Sequence, residues 1–270
     1  MKYAIKAVAL GLSLLLVGVC YAQDFDKGMA AFDKKDYAAA LREWRPLAEK
    51  GNANAQNSLG FMYEQGQGVA QDYKEAVKWF RLAAAQGNGS AQNSLGFLYD
   101  NGQGVPQNSA EAVKWYRLAA DQGSATAQHN LGGMYHEGHG VIQDNKEAVR
   151  WNRLAADQGD ANAQYNLGVM YGTGQGVPQN AAEAVKWYRL AADQGNAIAQ
   201  QNLGFMYYLG QGVPQNNVKA YVWWSVSAAQ GDENAKSNRD IVAAKLTPQD
   251  LSKAQAIATK CFESKYKNCD

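Results

Sequence analysis

Hydrophobic and polar positions alternate with a helical period over most of this chain. In the segment EAVKWFRLAAAQG, the apolar side chains fall at positions i, i+3, i+4 and i+7, namely Ala76, Trp79, Phe80 and Ala83. This spacing places them on one face of a helix. Leu59 and Tyr63, four residues apart, repeat the pattern in the preceding segment. The chain is therefore predicted to form pairs of amphipathic helices.

The same pair of segments recurs with a fixed period of 36 residues. The sequence AQNSLGFMYEQGQGV at Ala55 returns in similar form at Ala91, Ala127, Ala163 and Ala199. A fixed period of about 20 to 50 residues indicates a solenoid whose units pack on their neighbours. We predict five repeats, at residues 55–90, 91–126, 127–162, 163–198 and 199–234. An N-terminal helix pair at 23–54 and C-terminal capping helices with a tail at 235–270 would cover the two ends.

Capping residues stand at the predicted helix ends. Short polar side chains that can accept hydrogen bonds from exposed amides precede the first helices, at Asn52, Asn88, Ser124, Asp160, Asn196 and Asp232. Second helices begin with Asp72 and its counterparts, each followed three residues later by a glutamate, which predicts a capping box. In the last repeat Asn216 and Lys219 interrupt that box. Gly51 and Gly66, with their counterparts, are predicted to end helices in the left-handed conformation.

The flanking segments carry helix signals of their own. Asp36 is predicted to cap the second helix of the N-terminal pair. Near the other end, a helix is expected to about Lys245, followed by Thr247 as N-cap, Pro248 as first helical residue and Asp250 at the third position.

The repeat resembles the tetratricopeptide signature and, more closely, the Sel-1-like repeat family. Leu59, Gly60 and Tyr63 match the L-G-x-x-Y part, and the alanines and aromatic residue around Phe80 match the second part. The resemblance covers Ala55 through Asn234. It implies an all-α fold, an α/α superhelical solenoid of tetratricopeptide-like, Sel-1-like helix pairs. It also implies that the first helix of each pair lines a concave groove.

First-helix positions that change from repeat to repeat are the candidate partner-binding residues. Three positions lie at i, i+4 and i+7 on one stripe, while Leu59, Gly60 and Tyr63 keep their identity as packing positions. We interpret the variable stripe as a recognition surface, with ordinary surface variation as the alternative. The predicted groove residues are Asn57, Phe61, Asn93, Phe97, His129, Gly133, His136, Tyr165, Val169, Gln201, Phe205 and Tyr208.

The third repeat departs most from the pattern. It contains all three histidines, His129, His136 and His139, and it replaces aromatic residues by Gly133 and Asn152. His129 and His136 lie seven residues apart, about 10 Å along a helix, so they cannot easily share a metal ion. We hypothesise a pocket opened by Gly133 and bordered by His129 and His136. A metal site formed by His136, His139 and Glu137 is the alternative.

The first residues indicate export. Lys2 and Lys6 precede an apolar run, and small residues precede Gln23, which predicts a secretory signal peptide at 1–22. A retained membrane anchor and a lipid-modified Cys20 are the alternatives. However, the run is shorter than the roughly 20 residues that span a bilayer, and Val19 is large for a lipoprotein signal. We expect a bacterial protein that is periplasmic or secreted, with no membrane span after cleavage.

Charge and cysteine content narrow the possibilities further. Loss of Lys2 and Lys6 changes the formal charge from +1 to −1, so a nucleic-acid partner is not expected. The mature chain keeps Cys261 and Cys269. An even pair in an oxidising compartment is typical of a disulfide, and two free thiols are the alternative.

No motif in the chain predicts catalysis. The G-x-G-V turns follow helices rather than strands, so they do not indicate a phosphate-binding loop, and no cofactor is expected. The row Trp79, Trp115, Trp151, Trp187 and Trp223 is interpreted as core between repeats rather than a stacking platform. We predict a non-enzymatic scaffold or adaptor in the bacterial cell envelope. It would bind a protein or peptide partner in the concave groove and have a regulatory role. The alternative is a secreted hydrolase of the β-lactamase or penicillin-binding type described for cysteine-rich relatives. Those relatives have a disulfide in each repeat, whereas this chain has no cysteine between Cys20 and Cys261.

Overall fold

A computed structural model describes residues 25–267 and 269. The predicted signal peptide, with Cys20, lies outside the described residues. Within the described residues every regular element is a helix, in line with the all-α solenoid fold class. Residues 25–33 form α1, and the later helices are α2 (Tyr37–Glu49), α3 (Ala53–Gln65), α4 (Tyr73–Ala85), α5 (Gly89–Asn101), α6 (Ser109–Asp121), α7 (Ala125–Glu137), α8 (Asn145–Asp157), α9 (Ala161–Thr173), α10 (Ala181–Ala192), α11 (Ala197–Leu209), α12 (Asn217–Ala228), α13 (Glu233–Ala243) and α14 (Pro248–Glu263).

The helices divide between two compact units. The first unit contains α1 to α6 and the second contains α7 to α14. The five repeats are the pairs α3/α4, α5/α6, α7/α8, α9/α10 and α11/α12. Inside each unit a helix packs against its pair mate and against the next pair. Small alanines such as Ala55 and Ala83 are fully buried at these contacts and let the helix backbones approach closely.

The N-cap side chains act as predicted, but the reciprocal bond of the predicted capping box is not formed at Asp72. The N-cap oxygens accept from helix-start amides as expected, for example Asp72 Oδ1 from the Glu75 amide at 3.1 Å. The reciprocal half of the capping box is wrong. The Asp72 amide donates to the carbonyl of Tyr63 at 2.9 Å instead, and the Glu75 carboxylate pairs with Lys78. The cap amide thus joins the two helices of a repeat.

The predicted caps of the flanking helices are confirmed. Asp36 Oδ1 accepts from the Ala39 amide at 3.0 Å. Thr247 caps α14 through the Asp250 amide at 3.1 Å, with Pro248 in the first turn. Asn216 also caps its helix, through the Lys219 amide at 3.0 Å, although the box motif is broken there.

Glycines in the turns have two distinct roles. Gly174 ends α9 in the left-handed conformation, with φ of 76°, as its place in the repeat predicts. The second glycine, Gly176, also has a positive φ of 74°. A Cβ at Gly176 would collide with the carbonyl of Asn145 at the start of α8. The second glycine therefore lets this turn lie directly against the preceding repeat, and Gly68, Gly104 and Gly212 make the same close approach.

A row of buried glutamines links successive helices. Gln164, 4% exposed, donates from Nε2 to the carbonyl of Ala156 at 3.1 Å. Its Oε1 accepts from Gln194 Nε2 at 2.8 Å. Equivalent glutamine pairs are Gln56 with Gln86, Gln92 with Gln122, Gln128 with Gln158 and Gln200 with Gln230. Gln56, Gln92, Gln164 and Gln200 each tie the end of one helix pair to the start of the next.

The predicted tryptophan core between repeats is found in full at Trp187 and Trp223, whereas Trp79 and Trp115 are half-buried against the core of the preceding helices. Trp187 on α10 is 4% exposed and packs on Leu167 and the alanines of the preceding helices. Arg153 on α8 covers it, with the guanidinium carbon 4.7 Å from the ring centroid, and donates to the Tyr171 hydroxyl at 2.5 Å. One arginine therefore joins α8, α9 and α10.

The C-terminal helices cover the last repeat. α12 packs against both α13 and α14. A disulfide joins Cys261 on α14 to Cys269 in the tail, and both side chains are buried. Tyr266, between them, lies against Gly195 at the turn before α11. Among the described residues, no helix combines the length and the apolar character that crossing a membrane requires.

Candidate functional site

The first-helix face of the first unit carries exposed aromatic side chains. Phe61 on α3 and Phe97 on α5 hold the same repeat position and are 40% and 44% exposed. Asn57 lies one turn before Phe61, and Asn93 lies one turn before Phe97. On this face the two asparagines are partly exposed and the two phenylalanines are exposed. The recurrence of an exposed phenylalanine on two successive first helices makes this face a candidate contact surface.

A small cavity adjoins Phe61 in the first unit. Its volume is about 170 Å³, and Met29, Phe32, Trp44, Asn57, Ser58 and Phe61 line it. The Phe32 ring meets Phe61 edge to face at 6.1 Å between centroids. Asn57 and Phe61 were both predicted groove residues, and here they border the same hollow.

In the second unit several predicted groove residues contribute to packing. Phe205 meets Trp224 edge to face, with centroids 5.2 Å apart. Tyr208 lies 5.5 Å from Trp224 and also receives a hydrogen bond from Lys245. Gln201 accepts from the Trp224 indole through its carbonyl at 3.1 Å. The stripe near the C-terminal end is thus partly core, because Trp224 is the largest residue at its repeat position.

A larger cavity, called here the third-repeat cavity, lies where the third repeat packs against the first helix of the fourth. Its volume is about 260 Å³, and its lining residues come from α7, α8, α9 and the turn after α9: Gly133, His136, Glu137, Asn152, Tyr165, Asn166, Val169, Met170 and Gln175. The space arises where Gly133 and Asn152 replace larger side chains of the other repeats. A Cβ at Gly133 would meet nothing within 4 Å.

The floor of this cavity is polar and hydrogen-bonded. Asn152 is 1% exposed, and its Nδ2 donates to the Ala148 carbonyl at 2.9 Å. Asn166 Nδ2 donates to Asn152 Oδ1 at 3.3 Å. His136 Nδ1 lies 2.9 Å from Asn145 Oδ1. As the asparagine oxygen can only accept, His136 carries its proton on Nδ1 there and offers Nε2 as an acceptor when neutral.

The three histidines do not form one site. His129 lies 4.0 Å from Asp160 Oδ1, at the start of α9, and is not among the residues that line the cavity. The predicted border formed by His129 and His136 is therefore wrong in its first member. His139 pairs with Glu137 at 2.9 Å, whereas His136 turns to Asn145. Within the described part of the chain, no three histidine, cysteine or acidic side chains converge as a metal site would need.

Sequence reasoning missed Asn166. A signal was present, because Asn202 stands at the same position one repeat later. Its side chain hydrogen-bonds to the Tyr188 hydroxyl, and Tyr188 holds the position of Asn152. The asparagine at this position therefore hydrogen-bonds to the polar group of the second-helix side chain that faces it, which is Asn152 for Asn166 and Tyr188 for Asn202.

Burial shifts the acidity of several groups near these surfaces. It raises the pKa of Tyr188 to about 12; the neighbouring Tyr165 adds to the rise, and the hydrogen bond with Asn202 opposes it. Burial likewise raises the pKa of Tyr116 and, on the first-helix stripe, that of Glu64, where a hydrogen bond with Gln65 acts in the opposite direction. Each of these groups is thereby held more firmly in its neutral form.

A search against protein-family models identifies repeated matches along the chain. The model described as the Sel1 repeat matches residues 53–88, 89–124, 125–160, 161–196 and 197–232. The matched copies begin two residues before the predicted repeat starts, at the first residues of α3, α5, α7, α9 and α11. A search of curated protein sequences found no match.

Solved structures of similar proteins share the fold. A protective antigen of uropathogenic Escherichia coli strains, which displays an SLR fold, is 36% identical with a TM-score of 0.80 over 89% of this chain. This chain spans only 53% of that protein's length. A Sel1 repeat protein from Oxalobacter formigenes is 32% identical, with a TM-score of 0.76, over 87% of this chain and 96% of its own.

Proposed function

Because the chain belongs to the Sel1 repeat family, whose members are generally protein-interaction scaffolds, we propose that it is a non-catalytic scaffold of the bacterial cell envelope. It holds a protein or peptide partner against the first-helix face and has a regulatory role there. The observation that carries this proposal is the pair of exposed phenylalanines, Phe61 and Phe97, on successive first helices.

Repetition separates packing positions from contact positions. Leu59 and Leu95 are fully buried at one first-helix position, and the same position holds leucine in all five repeats. The Phe61 position reads Phe, Phe, Gly, Val and Phe along the chain. The position varies from repeat to repeat, and its phenylalanines in the first two repeats are exposed, which suits them to contact with a partner.

Site-specific photocrosslinking in the native host tests the scaffold function. A benzophenone amino acid replaces Phe61 or Phe97 on the first-helix face, and matched variants carry it at Leu82 or Leu118. These leucines are similarly exposed on second helices, at 45% and 48%. We expect one discrete protein adduct from the phenylalanine positions and none from the leucines. Absence of an adduct at both phenylalanines, or the same adduct from both faces, would contradict the proposal.

Export and lack of catalysis have separate tests. Cell fractionation with N-terminal sequencing should find the protein in the periplasm or medium, beginning at Gln23. A cytoplasmic protein that keeps residues 1–22 would contradict export. Hydrolysis of nitrocefin by the purified mature protein would contradict the non-enzymatic role.

A further inference from the structure

The third repeat lacks an aromatic pair that the fifth repeat contains. Phe205 and Trp224 pack edge to face there, with centroids 5.2 Å apart and ring planes at 79°. The equivalent positions in the third repeat hold Gly133 and Asn152. Both rings are therefore missing at the place where the cavity of about 260 Å³ lies.

We propose that this cavity binds the phenol ring of a tyrosine carried by the protein partner; the proposal rests on the scaffold function proposed above. The size of the space agrees with one ring. A cavity of about 150 Å³ in a protein interior is enough to bind benzene. The third-repeat cavity, at about 260 Å³, accommodates a substituted ring.

The lining favours a ring with a polar end. Val169, Met170 and the ring of Tyr165 offer apolar contact, whereas Asn152 and Asn166 present amides. Asn152 uses one donor and one acceptor in its contacts with Ala148 and Asn166. An amide side chain has two donors and two lone pairs, so hydrogen-bonding capacity is left over. A purely apolar ring would bury the unused donor and lone pair without a hydrogen-bond partner, which costs free energy.

The fourth repeat shows how this fold receives a phenol. Tyr188 occupies the position of Asn152, and its side chain hydrogen-bonds with Asn202. Asn166 is the counterpart of Asn202 and faces Asn152 in the same way. A phenol entering the third repeat would thus find an asparagine whose counterpart one repeat later, Asn202, bonds to the hydroxyl of Tyr188.

The position of Gly133 connects the cavity with the partner. Gly133 stands where Phe61 and Phe97 stand in the first two repeats, on the face that we assign to the partner. A Cβ at Gly133 would meet nothing within 4 Å, so the approach from this side is open. A side chain projecting from a partner on that face can therefore reach the ring site.

Ligand titration monitored by NMR of methionine and valine methyl groups tests the site. The probes are para-cresol and toluene, which differ by the hydroxyl. We expect saturable shifts at Met170 and Val169 with para-cresol, and roughly 10-fold weaker binding of toluene, as one lost hydrogen bond predicts. Asn152→Tyr, which fills the space with the residue of the second and fourth repeats, should abolish binding.

Gly133→Phe provides a second filled variant should Asn152→Tyr fail to fold. Phenylalanine is native at this position in three repeats, and space exists for its Cβ. Leu154→Ser is the matched control, since Leu154 lies on the same helix as Asn152 but is 41% exposed. The control should bind para-cresol like the parent protein. Binding that survives both filled variants, or no saturable binding by the parent protein, would overturn the proposal.

A second pair of probes identifies the source of the ring. N-acetyltyrosinamide carries the peptide groups that flank a tyrosine, and N-acetylphenylalaninamide lacks only the hydroxyl. We expect the tyrosine probe to bind at least as tightly as para-cresol. If para-cresol binds and N-acetyltyrosinamide does not, the cavity serves a free phenol and the proposal of a partner tyrosine is overturned.

The titration and the crosslinking fail independently. A discrete adduct at Phe97 without para-cresol binding would leave the scaffold function standing and remove the tyrosine site. Para-cresol binding without any adduct on the first-helix face would remove the scaffold function, and with it the assignment of the ring to a protein partner.

Discussion

Gln194 donates a hydrogen bond from its side-chain amide to Oε1 of Gln164 over 2.8 Å. Gln164 is buried. Its side-chain amide also donates to the carbonyl of Ala156, near the end of the preceding repeat. Leucine at this position would have a similar size but would remove both of these hydrogen bonds. We expect Gln164→Leu to lower the free energy of unfolding by about 2 kcal/mol.

Urea unfolding followed by circular dichroism measures this effect. Lys186→Ala is the control, because Lys186 lies on the same second unit but its ion pair with Glu183 is exposed, at 3.8 Å. An exposed pair of this kind contributes about 0 to 1 kcal/mol. Equal stability of Gln164→Leu and Lys186→Ala would show that the glutamine row does not stabilise the repeats.

Local features of the fold could be predicted from sequence, and features that join distant residues could not. The caps at Asn52 and Asp72 were predictable because a short polar side chain acts on amides two or three residues away. The destination of the Asp72 amide was not, because Tyr63 lies across the turn on another helix. The buried role of Gln164 likewise depends on Gln194, which is 30 residues distant.

The candidate site shows the same division. Gly133 and Asn152 stood out as departures from a repeating pattern, and the cavity lies between them. His129 was wrongly assigned to the border of the cavity. Helical periodicity shows that His129 and His136 share a face of α7, but not that His129 lies beside Asp160 at the start of α9. Asn166 was missed because only the packing of α9 on α8 brings it to Asn152.

Asn152→Tyr should stabilise the protein in the absence of any partner. The tyrosine would fill the third-repeat cavity, and its hydroxyl would meet Asn166 as Tyr188 meets Asn202. We expect the free energy of unfolding to rise by about 1 kcal/mol, as cavity-filling substitutions commonly give. Urea unfolding midpoints measure the change.

The reverse substitution is the matched control for this prediction. Tyr188→Asn converts the fourth repeat to the third-repeat residue and should destabilise by about 3 kcal/mol, since it removes a buried ring. If Asn152→Tyr destabilises as strongly as Tyr188→Asn, the third repeat does not have room for a ring and the cavity closes in solution.

Reduction of the disulfide should destabilise the second unit. The bond between Cys261 and Cys269 closes a loop with a sequence separation of 8. Its loss frees the tail, including Tyr266, which rests on Gly195. For a loop of this size the loss of chain constraint corresponds to about 2 kcal/mol. The measurement compares urea midpoints with and without a phosphine reductant.

A double variant, Cys261→Ser with Cys269→Ser, controls for side effects of the reductant, because reductant should leave its midpoint unchanged. Maleimide labelling of the unfolded, non-reduced mature protein should find no thiol. Two labelled thiols, or identical midpoints before and after reduction, would show that the tail is not held by this bond.

Ionisation of Tyr188 should destabilise the protein above pH 10. The pKa of Tyr188 rises from 10.0 to about 12 on folding, mainly because burial disfavours the phenolate. The folded-state pKa lies above the unfolded value. The contribution of Tyr188 to the free energy of unfolding is therefore fully present below pH 10 and is lost between pH 10 and 12. A shift of this size corresponds to a contribution on the order of 3 kcal/mol to the free energy of unfolding.

The comparison variant is Tyr188→Phe, which cannot ionise there. At pH 8 it should be slightly less stable than the parent, because the hydrogen bond with Asn202 is lost. Above pH 10 the order should reverse, since only the parent has to keep a buried phenol protonated against the solvent. Tyr116, whose pKa burial also raises, remains in both proteins and cancels from the difference. If the stability difference between the two proteins stays constant from pH 8 to 12, the Tyr188 hydroxyl is exposed to water. The equivalent ring position in the third-repeat cavity would then also be solvated.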